Sequence, residues 1–304
     1  MDMLTQIKNL ERPASKIDMI LDTDAYNEID DQFAIAYMLA NRDKLNIKAI
    51  YAAPFHNDKS SGPKDGMEKS YDEIKKVLSM ISETEDIKVC RGSEQYLNDE
   101  NTPVISEAAE HLVKLADNYS ADNPLYVVAI GAITNIASAI LIKPEIVDNI
   151  VVVWLGGHAL HWHDIREFNM WQDVAAARII FGCGVPLVQL PCMGVVSAFT
   201  ISEAELEKWL LDKNKISDYL ARNTIEEASS YASGKPWSRV IWDVTAIAWL
   251  IDGRFFGEYL EKSPIPEYDG HYSYNPHRHF FKYIYHVNRD ALLGDLFSKL
   301  LKLN

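Results

Sequence analysis

Four aspartates fall within ten positions in the stretch LDTDAYNEIDDQFAIAYML, residues 21–39: Asp22, Asp24, Asp30 and Asp31. They stand between two apolar runs, in a chain that already carries a net charge of −14. Like charges crowded in this way destabilise a fold unless a positive group stands among them. Strand-like residues end at Leu21 and a helical pattern follows, so Asp22 and Asp24 project beyond a strand while Thr23 faces the other way. Asn27 has the residue type of a helix N-cap, with Asp30 three residues on, and Asp30 and Asp31 fall in a first helical turn. Capping accounts for one or two of these carboxylates but not for four. A hard divalent cation held by oxygen ligands accounts for all of them, and calcium or magnesium suits a turn without Cys or an adjacent His.

Other segments supply compatible groups. AIGAITNIASAI (129–140) leaves a strand at Ile130, turns through Gly131 and enters a helix near Thr134 or Asn135; the Ile130 carbonyl is a further hard-metal donor. Asp243 interrupts the apolar stretch VIWDVTAIAWLI (240–251), and a buried carboxylate is costly unless paired or metal-bound. GGHALHWHDIREFN (156–169) closes on Glu167, Phe168 and Asn169, two polar side chains around an aromatic. Its His158, His161 and His163 lack the regular spacing of a zinc site.

The elements that must position these groups are legible as alternation. Strand-like runs at 17–21, 47–53, 87–90, 125–130, 150–156 and 186–190 alternate with helical patterns at about 28–42, 66–82, 103–119, 133–142 and 173–182. The runs are continuously apolar, as in strands covered on both faces. The fold class expected is α/β, a mainly parallel open sheet flanked by helices with a Rossmann-like core. Residues 202–232 and 240–251 predict a helical C-terminal elaboration, and 279–301 a strand leading into a last helix. No linker or repeat divides the 304 residues, so one domain, 1–304, is expected. Ligands of open parallel sheets sit outside the carboxyl ends of the strands, which singles out Asp22 and Asp24, Phe55 to Asp58, Ile130 to Asn135 and Gly156 to Asn169.

A chain of 48% hydrophobic and 24% charged residues has a sizeable core and is not disordered. Its acidity argues against nucleic acid or an anionic membrane as partner. Cys90, Cys183 and Cys192 are odd in number and lack metal-ligand spacing, the pattern of buried reduced thiols. No signal-like N-terminal stretch and no long apolar run is present, so a cytoplasmic protein is expected.

Together these residues resemble the nucleoside hydrolase family of the inosine-uridine-preferring type, whose signature after the first strand is Asp-x-Asp-Pro-Gly-x-Asp-Asp. The resemblance covers nearly the whole chain: the signature turn, IGAITNIA, Gly156-Gly157 with EFN, WDVTAIA and YHVNRDALLGDLF. It implies a calcium-dependent N-ribohydrolase that splits a nucleoside, or a related N-riboside, into ribose and free base. It implies a calcium ion held by Asp24, Asp31, the Ile130 carbonyl and Asp243, with water and the ribose 2′- and 3′-hydroxyls completing the shell. Asp24 would also be the general base, Asp22 would help orient the sugar, and Asn57, Glu167 and Asn169 would hold ribose hydroxyls. Asp30 and Trp242 join them as substrate-contacting positions. A homo-oligomer, dimer or tetramer, is implied as well.

Two departures stand out. Five residues separate Asp24 from Asp30 where the signature has three, so AYNEI (25–29) replaces the usual Pro-Gly turn. Alignment from DDQFAIAY makes Asp31 rather than Asp30 the metal ligand. Trp242 occupies the position where several members carry a histidine that protonates the departing base. Leaving-group assistance would then come from the His158, His161 and His163 loop, from around Tyr231 and Trp237, from 268–279, or from a more labile substrate. An alternative is a ribose- or nucleoside-binding sensor that keeps the calcium site without turnover. A haloacid-dehalogenase-like phosphotransferase fits Asp22-Thr23-Asp24 but leaves Asp30 and Asp31 unexplained.

Overall fold

The computed structural model describes residues 2–304. Along the chain come α1 (Met3–Asn9), β1 (Ile17–Thr23), α2 (Asp30–Leu39), β2 (Leu45–Ala52), α3 (Pro63–Leu78), β3 (Lys88–Arg91), α4 (Glu107–Ala116), β4 (Leu125–Ala129), α5 (Thr134–Ile142) and β5 (Ile150–Leu155). There follow α6 (Phe168–Gln172), α7 (Val174–Gly182), β6 (Leu187–Leu190), β7 (Thr200–Ser202), α8 (Glu203–Trp209), α9 (Lys215–Ala232) and β8 (Ser238–Val240). The chain closes with α10 (Val244–Trp249), β9 (Phe256–Lys262), β10 (Ile265–Pro266), β11 (Tyr272–Ser273), β12 (Phe280–Val287) and α11 (Arg289–Leu300).

Eight strands form one sheet in the order β3-β2-β1-β4-β5-β6-β12-β9, parallel throughout except for β9, which pairs antiparallel with β12. The β5 residues are buried on both faces, which is why the run reads as continuously apolar. Alternation along β1 sends Met19 and Leu21 into a core shared with α2 and α10, and Ile20 into a second core shared with α4, α5 and α7. The six expected strands are all present. Beyond them β9 joins the sheet; FGEYLEK is half-buried and partly polar, and its partner β12 lies far along the chain, so no local period announces it.

The region after residue 200 differs from expectation in two places. The helix expected across 202–232 breaks between α8 and α9, where Asp212 takes a left-handed φ of 56° and Asn214 caps α9 by accepting from the Ser217 N–H at 2.8 Å. The stretch 240–251 is not one helix: residues up to Val240 pair as β8 with β7, and α10 begins only at Val244. Asp243 therefore stands at a helix N-terminus, where an anion is favoured, rather than inside a helix. Among the described residues no helix is long and apolar enough to cross a membrane.

The edge strand is fastened by charge. Glu258 on β9 pairs with Arg12 at 2.6 Å, accepts from the Trp249 indole N–H at 2.9 Å and lies 3.5 Å from the buried ammonium of Lys282 on β12. Glu258→Ala strips this partner from three donors, and the expected cost is about 2–4 kcal/mol, read as a lowered midpoint in denaturant titration. A loss below about 0.5 kcal/mol would show that these groups find water instead.

Candidate active site

The chain crosses the sheet in opposite directions from β1 and β4. From β1 it enters α2 on one face, and from β4 it enters α5 on the other. Neighbouring strands whose connections part in this way leave a crevice at their carboxyl ends. A cavity of about 220 Å³ opens near this point, lined among others by Asp24, Asp30, Asp31, Ile130, Asn169 and Asp243.

Alternation along β1 fixes which aspartate does what. Thr23 points toward α2 and its hydroxyl donates to Asp31. Asp22 points to the other face, where its Oδ1 accepts from the Asn135 amide at 2.8 Å; it does not line the cavity. Asn135, at the start of α5, also accepts from the backbone N–H and hydroxyl of Ser93 at 2.7 and 2.8 Å. Asp22 thus ties the end of β1 to α5 and to the loop after β3. Asp24 lies past the strand end, 1% exposed, and its Oδ2 has no hydrogen-bond partner among the described residues. Gly131 makes room for it: a Cβ there would come within 3.0 Å of Asp24 Oδ1.

Asp30 and Asp31 open α2, and Asp243 precedes α10. One carboxylate oxygen of each lies within 4.8 Å of the other two, all three residues being buried. The Asp243 N–H donates to Asp30 at 3.3 Å. The nearby basic group is Arg239, already paired with Glu28 at 3.1 Å and Glu227 at 3.3 Å. Burial first, then mutual repulsion, holds Asp24, Asp30 and Asp243 well above the usual carboxylate range. Burial brings Asp31 to about 7 despite the hydrogen bond from Thr23, and Asp22 to about 7 against the hydrogen bond from Asn135.

Glu167 precedes α6 and caps it, accepting from the N–H groups of Gly157, Asn169 and Met170 at 2.8, 2.8 and 2.9 Å. Gly157 presents its N–H from a left-handed turn at φ 73°, where a Cβ would meet the Met170 methyl and the Tyr272 hydroxyl. The Asn169 amide donates to the carbonyls of Ile130 at 3.2 Å and Leu155 at 3.0 Å, joining the ends of β4 and β5.

The expected residues Asp24, Asp30, Asp31, Ile130, Glu167, Asn169, Trp242 and Asp243 meet around the one cavity, while Asp22 and Asn57 do not line it. Asn57 reaches it through a neighbour: its amide donates to the Asn27 side chain at 2.7 Å. That contact also corrects the expected N-cap. Asn27 does not cap α2, which starts three residues later after Ile29 without a side-chain cap, because the lengthened turn carries Asn27 toward the 57–59 loop. Lys59 fixes the same turn through the Asn27 carbonyl at 2.7 Å.

Of the three loop histidines only His158 lines the cavity, and neither Tyr231, Trp237 nor any residue of 268–279 does. Arg166 lies within the Gly156 to Asn169 stretch singled out above, without a role assigned to it, whereas two lining residues were not foreseen, Cys192 and Met193. The last two follow β6, so the strand-end rule applied to PLVQL would have pointed to them.

Four buried carboxyl groups with no free base among them require protons or a cation. The donors are all oxygen, which suits a hard divalent ion rather than zinc. The unpartnered Oδ2 of Asp24 and the close approach of Asp30, Asp31 and Asp243 fit that group. Without metal, Asp22 and Asp31 hold protons in the fold up to about pH 7 that the unfolded chain releases near pH 4. Over that window the native state binds more protons, so the stability these two groups contribute falls as pH rises and levels off above about 7. In chelator the melting temperature is expected to drop between pH 5 and 7.5, and added calcium to raise it more at pH 7.5 than at pH 5. A pH-independent melting temperature in chelator would contradict the carboxyl assignment.

The chain resembles known proteins at two levels. Residues 19–270 match the family model described as inosine-uridine preferring nucleoside hydrolase. Pyrimidine-specific ribonucleoside hydrolase RihA of Salmonella enteritidis is 27% identical over 254 residues, covering 75% of this chain and 78% of the relative. The protein of that name from Photobacterium profundum is 26% identical over the same shares. Among solved structures, a plant nucleoside hydrolase superposes with a TM-score of 0.76 at 17% identity, covering 94% of this chain and 99% of the other. A purine-preferring ribonucleoside hydrolase from Gardnerella vaginalis gives 0.74 at 20% identity over 93% and 98%. These two likenesses concern the fold. With the family model spanning most of its length, the chain belongs to the inosine-uridine preferring nucleoside hydrolase family, enzymes that hydrolyse N-glycosyl bonds.

Proposed function

We propose that the protein is a calcium-dependent N-ribohydrolase, acting as one domain on a small nucleoside or related N-riboside to give ribose and the free base. The observation that carries this reading is the buried Asp24 carboxylate, one oxygen unpartnered, facing the cavity that Asp30, Asp31 and Asp243 also line. Asp24, Asp31, the Ile130 carbonyl and Asp243 are the residues that would hold calcium. Ile130 keeps a free lone pair for this role beside the hydrogen bond it accepts from Asn169. A bound calcium supplies positive charge that acidifies water and anchors a vicinal diol.

The protein's own groups do the rest. Asp24 takes a proton from the attacking water, its burial keeping it a strong enough base once its neighbours are neutralised. The water oxygen joins C1′ as the C1′–N bond breaks and the bonding pair leaves with the base. Positive charge then builds on the ribose ring, as in glycoside cleavage, inside a cavity that Asp24 and Glu167 both line. Glu167 is fixed by its three N–H donors and Asn169 by two carbonyls, so the sugar wall is set before substrate arrives. Trp242 offers an aromatic face to the base. A dimer or tetramer is proposed by likeness to the family alone.

Metal analysis and a reducing-sugar assay over a panel of nucleosides test the reading. Asp24→Asn is expected to lower kcat by about 10³ or more while calcium remains measurable in the protein. Wild-type protein that takes up no calcium and releases no ribose from any riboside would falsify it, and binding of ribosides without release would favour the sensor alternative.

A further inference from the structure

We propose that the substrates this cavity serves best are N-ribosides whose leaving group is a positively charged heteroaromatic ring joined through a quaternary nitrogen, of the pyridinium kind. The inference rests on the hydrolase reading above and concerns the same site.

Charge is the first argument. The lining holds Asp24, Glu28, Asp30, Asp31, Glu167 and Asp243, with Arg166 as the one guanidinium. Carboxyl groups thus outnumber the guanidinium in the lining six to one. Glu28 belongs to the lengthened turn 25–29 and is fixed there by Arg239 at 3.1 Å. Trp242 adds an indole, the aromatic face that best holds a cation.

The second argument is the want of a proton donor. His158 is the imidazole of the lining, and its Nδ1 accepts from the Met193 N–H at 3.3 Å, which places its hydrogen on Nε2. Burial lowers its pKa and His163 adds to this, opposed by Asp164, whose Oδ1 lies 4.0 Å from Nε2; the Trp162 ring packs edge-on. It stays neutral at neutral pH. Burial and Glu167 keep the Cys192 thiol protonated, and Arg166 does not give up its proton. Glu28 accepts from Arg239 at 3.1 Å, and although burial raises the Glu167 carboxyl, both of its oxygens already accept from backbone N–H groups rather than turning a hydrogen toward the ring.

A neutral purine or pyrimidine departs as an anion unless it is protonated. A quaternary ring needs no proton: when its C1′–N bond breaks, the pair returns to nitrogen and cancels the positive charge. Water oxygen forms the new bond to C1′, and its proton passes to Asp24. Dispensing with an acid is worth about 10²–10⁴ in rate.

The test is ribose release by calcium-loaded protein from nicotinamide riboside, uridine and inosine, with 1-methylnicotinamide and nicotinamide compared as competitive inhibitors. Expected are a kcat/KM for nicotinamide riboside about 100-fold or more above the two neutral nucleosides, and about tenfold tighter inhibition by the methylated cation than by nicotinamide. Glu28→Gln should remove most of that inhibitor preference; Glu28 is partly exposed, and circular dichroism checks that the variant folds. Uridine or inosine turned over within tenfold of nicotinamide riboside, or equal inhibition by the charged and neutral rings, would overturn the proposal. Ribose released from none of the three would overturn the hydrolase reading beneath it.

Discussion

The site depends on one electrostatic constraint: Asp24, Asp30, Asp31 and Asp243 are all buried, and Arg239, the base that acts on Asp30, is already paired with Glu28 and Glu227. In water each would be an ordinary anion; removed from water side by side, they hold protons or share a cation. The fold supports that arrangement with dipoles rather than with basic side chains. Asp30 and Asp31 occupy the first turn of α2 and Asp243 the N-terminus of α10, so two helix ends point positive charge at the cluster. Such a cluster could hold a hard cation.

Around that cluster several polar side chains fasten two elements each. Asn135 joins β1 to the loop after β3, Asn169 joins β4 to β5, and Glu167 caps α6 while closing the Gly157 turn. The lengthened turn after β1 is fixed from three sides, by Asn57, Lys59 and Arg239. It is therefore a defined wall of the cavity, and it brings the carboxylate of Glu28 into the lining.

How much was legible in the sequence follows from the range of each signal. Parallel strands buried on both faces announce themselves as apolar runs, so β1 to β6 and their order of alternation with helices were plain. The meeting of the carboxyl groups was plain too, because Asp24, Asp30 and Asp31 are close in sequence and Asp243 is anomalous among apolar neighbours. Long-range pairings were not. β9 meets β12 across a loop, and β8 meets β7 across two helices, so the helix expected over 240–251 lost Val240 to a strand and 241–243 to the turn that follows it. The N-cap role expected of Asn27 failed for the same reason, since its partner Asn57 comes from another loop. Arg166 lies in the stretch after β5 that the strand-end rule singled out, and Cys192 and Met193 in the stretch after β6 to which the same rule was not applied.

The central claim is that this carboxylate cluster is a calcium and ribose floor. A crystal structure grown with calcium and a non-hydrolysable ribose analogue tests it most directly, the ion identified by its anomalous scattering. The account predicts one calcium ion bound by Asp24, Asp31, the Ile130 carbonyl and Asp243, with the two vicinal hydroxyls of the analogue completing its shell. Calcium absent from this cluster, or the analogue bound away from it, would contradict the account.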